Sequence, residues 1–156
     1  MKLLLISFVT IIVLSCNYIP CSSSSDLDDI KQTPKTSSVV GIYKPDEFTK
    51  HDYKEYSNSD STMLILTDDG KILFKNFPIK TFDIWQDSSK VKINGSGIYK
   101  LNSISGSTKI ITNITFDQLG PMQPPPFNLY KKGNKYYILI DFGDPDVCSS
   151  VRLEQQ

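Results

Sequence analysis

Few side chains in this 156-residue chain could do chemistry. The one histidine, His51, sits in the polar stretch DEFTKHDYKEYSNSD from Asp46 to Asp60. A nucleophilic serine needs a base within reach. His51 belongs to no motif that supplies one, and reads as a solvated loop residue. Asp141, Asp144 and Asp146 form the best carboxylate group, with Asp83 or Asp87 as further oxygen donors for calcium. Calcium needs about six or more oxygens, and no loop offers them in sequence. Asp144 and Asp146 flank Pro145 and are more simply turn formers. Cys21 and Cys148 cannot complete a structural zinc site. Asp141-Phe142-Gly143 spells a kinase triplet, but every other kinase part is missing. There is no phosphate loop and no dinucleotide fingerprint. The expectation is a protein without catalytic residues, cofactor or metal, and not an enzyme.

Two features suit binding. Trp85, with Phe82, offers an aromatic surface for a ligand or partner; the plainer reading is a plug over the end of the core. Gly120 to Pro126 contains Pro124-Pro125-Pro126, a stiff polyproline segment followed by Phe127. Pro124, Pro125 and Phe127 could rim an opening, or the segment could serve only as a crossover between strands.

The elements that must position these residues are strands. Met63 to Phe77, MLILTDDGKILFKNF, is the strongest hairpin signal. A three-residue loop Asp68-Asp69-Gly70, with Gly70 left-handed, sets Leu66 opposite Ile72 and Leu64 opposite Phe74. Those four then share one face. A two-residue loop would pair Leu64 with Lys75 and mix the faces. A short first strand starts near Val39 and stops at Pro45. Asp46 to Asp60 is either a long loop anchored by Phe48, Tyr53 and Tyr56, or carries a helical turn at 46–51. Thr81 to Lys90 reads as a loop or one turn of helix. Asn94-Gly95-Ser96 reads as a turn, as do Ser103 to Gly106, Gly133-Asn134 and Gly143 to Asp146. Strands are expected over Gly97–Asn102, Lys109–Phe116 and Phe127–Tyr130. A strand buried on both faces follows at Tyr136–Phe142, and a last one holds Val151 and Leu153. Gly120 to Pro126 is expected to break all regular structure.

About eight short strands with no amphipathic helix predict an all-β domain. Sequential hairpins favour an antiparallel up-and-down meander, closed as a barrel or half-barrel. Gly41-Ile42-Tyr43-Lys44 recurs as Gly97-Ile98-Tyr99-Lys100, which suggests two similar meander halves.

Residues 1–15 look like an export signal, with Lys2 before an apolar run from Leu3 to Leu14. That run is shorter than the ~20 residues of a permanent span. Val13-Leu14-Ser15-Cys16 resembles the lipobox of bacterial lipoproteins, which implies acylation at Cys16. Val13 and Leu14 depart a little from the family's preference, whereas Ser15 and Cys16 match it. Asn17 after the cysteine, where the family often uses Asp for inner-membrane retention, leans toward the outer membrane. Residues 16–38, with the serine run Ser22 to Ser25, read as a disordered tether, and 39–156 as the folded domain. Export permits a Cys21–Cys148 disulfide; free thiols are the plainer reading.

Four motifs together resemble small lipocalin-like lipoproteins of Gram-negative bacteria. They are Gly-x-Tyr at Gly41, L-x-x-D-G-x-x-x-x-x-N-F-P from Leu66 to Pro78, Gly-x-Tyr at Gly97, and Gly143-Asp144-Pro145-Asp146. The resemblance implies a lipocalin-like barrel anchored to the membrane through its lipid. Its motifs mark turns and strand starts, so they speak for fold more than function. The expected role is a binding or accessory module of the cell envelope, taking a small apolar ligand or a protein partner. The alternative is a protein-interaction role such as an inhibitor or toxin-immunity lipoprotein. Seventeen basic residues balance 17 acidic ones, without the clustered positive charge of a nucleic-acid binder.

Overall fold

The computed structural model of the protein describes residues 24–57, 61–83, 85, 90–142 and 149–156. Residues 1–15, expected as an export signal, lie outside the described residues, as do Cys16, Cys21, Cys148, Asp87 and the expected turn at Gly143 to Asp146.

The described residues form one antiparallel sheet. Its strands are β1 (Asp28–Asp29), β2 (Gly41–Pro45), β3 (Met63–Leu66), β4 (Lys71–Pro78) and β5 (Lys92–Ile104). There follow β6 (Ser107–Phe116), β7 (Gly120–Met122), β8 (Phe127–Lys132), β9 (Lys135–Asp141) and β10 (Ser150–Gln155). Eight of them close into a barrel in the order β2-β3-β4-β5-β6-β8-β9-β10, with β10 back on β2. Each barrel strand lies beside its predecessor in the chain, so this is the expected up-and-down meander, the topology of the lipocalins. Closure leaves the barrel strands no free row of backbone groups along most of their length.

The two ends differ. One carries the tight turns between β3 and β4, β5 and β6, and β8 and β9; at the other, β2, β4, β6 and β9 end and β3, β5, β8 and β10 begin, joined by longer stretches of chain. The barrel interior is filled. Tyr43, Leu64, Leu66, Ile72, Phe74, Phe77, Ile93, Ile110, Ile114, Phe116, Ile138 and Leu153 are all buried within it. Each such aliphatic or aromatic side chain contributes ~1.5–3 kcal/mol relative to exposure. β9 is buried on both faces from Tyr137 to Ile140, as its unbroken apolar run implies.

The central hairpin has the expected register. Leu66 faces Ile72 and Leu64 faces Phe74, and Gly70 sits at φ 78°. Further along β4 the strand does something that alternation does not foresee. Phe74 and Phe77 are three residues apart, yet both are buried and their ring centroids lie 5.1 Å apart. A β-bulge between them makes this possible. Asn76 takes φ 54°, a conformation asparagine tolerates better than most residues. Its N–H donates to Asn94 Oδ1 at 3.1 Å, and its carbonyl accepts from Thr62 Oγ1 at 2.9 Å. The bulge moves the strand on by one residue and returns Phe77 to the inside.

Several expectations are corrected. Asn94-Gly95-Ser96 is not a turn but part of the long strand β5. Gly95 faces inward opposite Phe116, and a methyl group there would meet the Phe116 ring at 2.5 Å. These glycines serve close approach rather than chain reversal. Gly120 to Met122 is not irregular; it pairs with β6 over Ile114 to Phe116. The repeated Gly-Ile-Tyr-Lys does not mark two halves. It falls on β2 and β5, which run in opposite directions three strands apart. Both tyrosines point inward and cap carbonyls, Tyr43 that of Val39 at 2.6 Å and Tyr99 that of Thr67 at 2.9 Å. A shared packing demand accounts for the echo. Between Asp46 and Asp60, a helix α2 (Glu47–Asp52) forms, with Asp46 accepting from Thr49 N at 3.0 Å as its N-cap. It follows a short helix α1 (Thr36–Val39).

The largest correction concerns the tether. Its described part lies on the barrel. Asp28 and Asp29 pair with Lys131 and Tyr130 of β8. The Ile30 carbonyl accepts from both Thr108 N at 2.9 Å and Thr108 Oγ1 at 2.8 Å. Asp26 bridges Lys132 and Arg152, each at 2.6 Å. The physical reason is a gap in the wall. β8 meets β6 only at Lys109–Asn128 and Ile110–Phe127. Beyond that seam both strands have unpaired backbone groups, which residues 28–30 satisfy.

Candidate functional site

The end with the long connections holds a cleft of about 360 Å³. Its wall includes Phe82, Trp85, Pro124, Pro125 and Phe127, all five of the binding residues expected from the sequence. Met122, Ile140, Asp141 and Phe142 complete much of the rest.

The chain after β4 places the aromatic side. The bulge at Asn76 and Pro78 leads into a single 3₁₀ turn, Ile79–Thr81. Thr81 is buried, and its Oγ1 lies 2.5 Å from the hydroxyl of buried Tyr56. Burial pushes the Tyr56 phenol up, so it stays neutral and anchors the turn. Phe82 N–H closes the turn on Ile79 O at 3.0 Å. The Phe82 ring then packs on Phe116 at 4.4 Å and edge-on to Phe74 at 5.3 Å. The filled interior is thus continuous with the cleft floor. Asp83 Oδ1 accepts from Trp85 N at 3.1 Å, a local side-chain turn. Trp85 is 89% exposed. It does not plug the barrel; Phe82 does that, and Trp85 stands beside the opening.

The opposite side comes from the chain after β6. Pairing of β7 with β6 brings Met122 next to Ile114, and four residues without regular structure then carry the chain to β8. Pro124 is half-buried and Pro125 exposed at the rim. Phe127 is buried at the start of β8, with its ring 6.1 Å from Phe74. The expected rim and the crossover are one object, since the same residues connect β6 to β8 and edge the cleft.

β9 supplies the third side. Ile140 points inward, and Asp141 stands on the outer face at the lip. Asn128 Nδ2 donates to Asp141 Oδ2 at 2.7 Å, and Lys109 Nζ donates to Asn128 Oδ1. Loss of hydration around the carboxylate raises the Asp141 pKa, against the lowering effects of Asn128 and Lys109. Phe142 packs on Tyr53 at 5.4 Å.

Other candidates lie apart. His51 is exposed at the end of α2, with Nδ1 2.8 Å from Asp52 Oδ1. Among the described residues, no three His, Cys, Asp or Glu side chains gather closely enough to hold a metal ion. Also among these residues, no helix is long and apolar enough to cross a membrane. A shallow depression of about 520 Å³ lies where Gly95 leaves the wall thin, lined by Phe74, Lys75, Asn94, Phe116 and Asp117 among others.

Sequence reasoning named the five residues without placing them in one cleft. Met122 is hidden in sequence because Gly120 to Pro126 reads as irregular, and Thr81 because its role depends on Tyr56 far away in the chain. No protein-family model, curated protein or solved structure matches the chain. Fold and site define an eight-stranded meander barrel with a packed interior and an aromatic cleft at its loop-bearing end.

Proposed function

We propose that this chain is a lipid-anchored binding module of the bacterial cell envelope, held through Cys16 and more in keeping with the outer membrane. Its barrel end takes an apolar group of a small ligand or of a partner protein. The observation that carries the reading is the convergence of Phe82, Trp85, Pro124, Pro125 and Phe127 on one cleft of about 360 Å³. That volume falls within the range of small-molecule sites, which are apolar with few polar groups. The packed interior gives no support to a site at the barrel's centre, where lipocalin-like resemblance would put it, so this reading takes the mouth instead.

A second reading is a protein-interaction role, such as an inhibitor or immunity lipoprotein. The 89% exposure of Trp85 favours it, since tryptophan is enriched at the energetic centres of protein interfaces. Native mass spectrometry of the protein extracted gently from membranes separates the two. A retained small molecule that is lost in Trp85→Ala supports the first reading. An empty protein that binds no member of a broad apolar ligand panel removes it and leaves the second. Anchoring is tested separately: a fatty-acid probe should label the wild type and not Cys16→Ser, and label persisting in that variant would end the lipid-anchor reading.

A further inference from the structure

We infer that the cleft is built for a small amphiphilic cation, an alkylammonium head on a short apolar chain. The inference rests on the binding role proposed above and names the chemistry of the occupant. Three observations carry it.

The first is the charge of the lining. Of the described residues around the cleft, the charged ones are Asp83 and Asp141, and no lysine or arginine is among them. Lys109 is the cation that acts on Asp141. Its ammonium group donates to Asn128 Oδ1, and Asn128 in turn donates to Asp141. Asn128 thus stands between Lys109 and the carboxylate. An anionic ligand would find two carboxylates and, among the described lining residues, no cation. A neutral one would gain nothing from either carboxylate.

The second is aromatic. Trp85 is exposed over most of its surface at the same opening, and Phe82 lines the same cleft. The face of an indole attracts a cation, and quaternary ammonium groups are recognised in this way. Asp83 holds the Trp85 backbone N–H at 3.1 Å, which keeps a carboxylate and an indole on one short segment.

The third is the floor. Phe82, Phe127, Ile140 and Met122 are apolar and line a volume of about 360 Å³. This suits a chain of a few methylenes rather than a bare inorganic ion.

Trp85 is the chain's one tryptophan, so its fluorescence reports the cleft alone. The full mature protein is titrated with hexyltrimethylammonium, hexanol and hexyl sulfate, which share one apolar chain and differ in charge. The cation should bind roughly tenfold more tightly than the alcohol, about what one solvent-facing carboxylate offers a nearby cation. Hexyl sulfate should bind most weakly. Asp141→Asn should bring the cation down toward the alcohol and leave the alcohol unchanged. Lys109→Gln should tighten the cation, and it serves as the check if Asp141→Asn does not fold. Equal affinities, or tighter binding of the sulfate, would overturn the cation inference while leaving the cleft a binding site. If none of the three perturbs Trp85, the binding role itself fails and this inference falls with it.

Discussion

Replacing Gly97 with alanine should be among the most damaging single-methyl additions in the barrel. A Cβ at Gly97 would lie 2.0 Å from the Asn113 carbonyl oxygen and 2.9 Å from both the Asn113 carbonyl carbon and Ile114 Cα. All three are backbone atoms of β6, so no side-chain rotation relieves the clash. To reach even 3.0 Å from that oxygen, the strands must part locally by about 1 Å. That strains the ladder around the Gly97–Ile114 pair and its neighbours Ser96–Thr115 and Ile98–Asn113. Overpacking costs ~1–3 kcal/mol. Two weakened backbone hydrogen bonds add ~1 kcal/mol each, for a loss of ~3–5 kcal/mol. Gly106→Ala is the control. Gly106 has open space around its Cβ position but sits at φ 81°, so only backbone strain of ~1–2 kcal/mol applies. Urea unfolding followed by far-UV circular dichroism gives both values, with unchanged slopes confirming that stability alone has moved. A loss at Gly97 no greater than that at Gly106 would refute the close approach of β5 and β6. It would also restore a turn at residues 94–96.

Three further predictions test packing and charge. Phe74→Ala should cost ~3–5 kcal/mol, because it removes the ring shared by Phe77, Phe82, Phe116 and Phe127; Lys75→Ala, exposed on the other face, should stay within ~0.5 kcal/mol in the same urea assay. Thr112→Val should stabilise the barrel by ~1 kcal/mol, because Thr112 Oγ1 is buried with no hydrogen-bond partner among the described residues; a loss of stability would show that the hydroxyl is satisfied. The Asp26 carboxylate is held below its usual 3.8 mainly by the Lys132 hydrogen bond, with Arg152 adding to it. Its contribution to docking is therefore complete above about 3.8 and is lost as pH falls through the lowered value. Amide relaxation for residues 26–30 should report rigid backbone at neutral pH and growing mobility only in strong acid, whereas mobility already present at pH 7 would contradict the docked segment.

The parts of the fold visible in sequence were those set by local rules. Alternation in β3, β4, β6 and β9, together with Asp69-Gly70 and Gly133-Asn134, determines strands, turns and inward faces without reference to distant residues. The parts not visible depend on what lies across the barrel. Gly95 and Gly97 look like turn residues until Phe116 and the β6 backbone are placed against them. Asn76 looks like an ordinary strand residue until two phenylalanines three apart both need the interior. Residues 24–30 have the polar composition of a linker, and only the gap between β6 and β8 gives them something to pair with. The cleft was legible in kind, as exposed aromatics and stiff prolines. Its assembly was not, since it joins three segments that barrel closure alone brings together.

The proposed function puts binding at the loop-bearing end of the barrel. Amide chemical-shift mapping during titration with the hexyl probes tests it most directly. Shifts should cluster in residues 81–85, 122–127 and 140–142, with the tight turns at 68–70, 105–106 and 133–134 unmoved. Shifts centred on those turns or on the wall around Gly95, or no shifts at all, would contradict it.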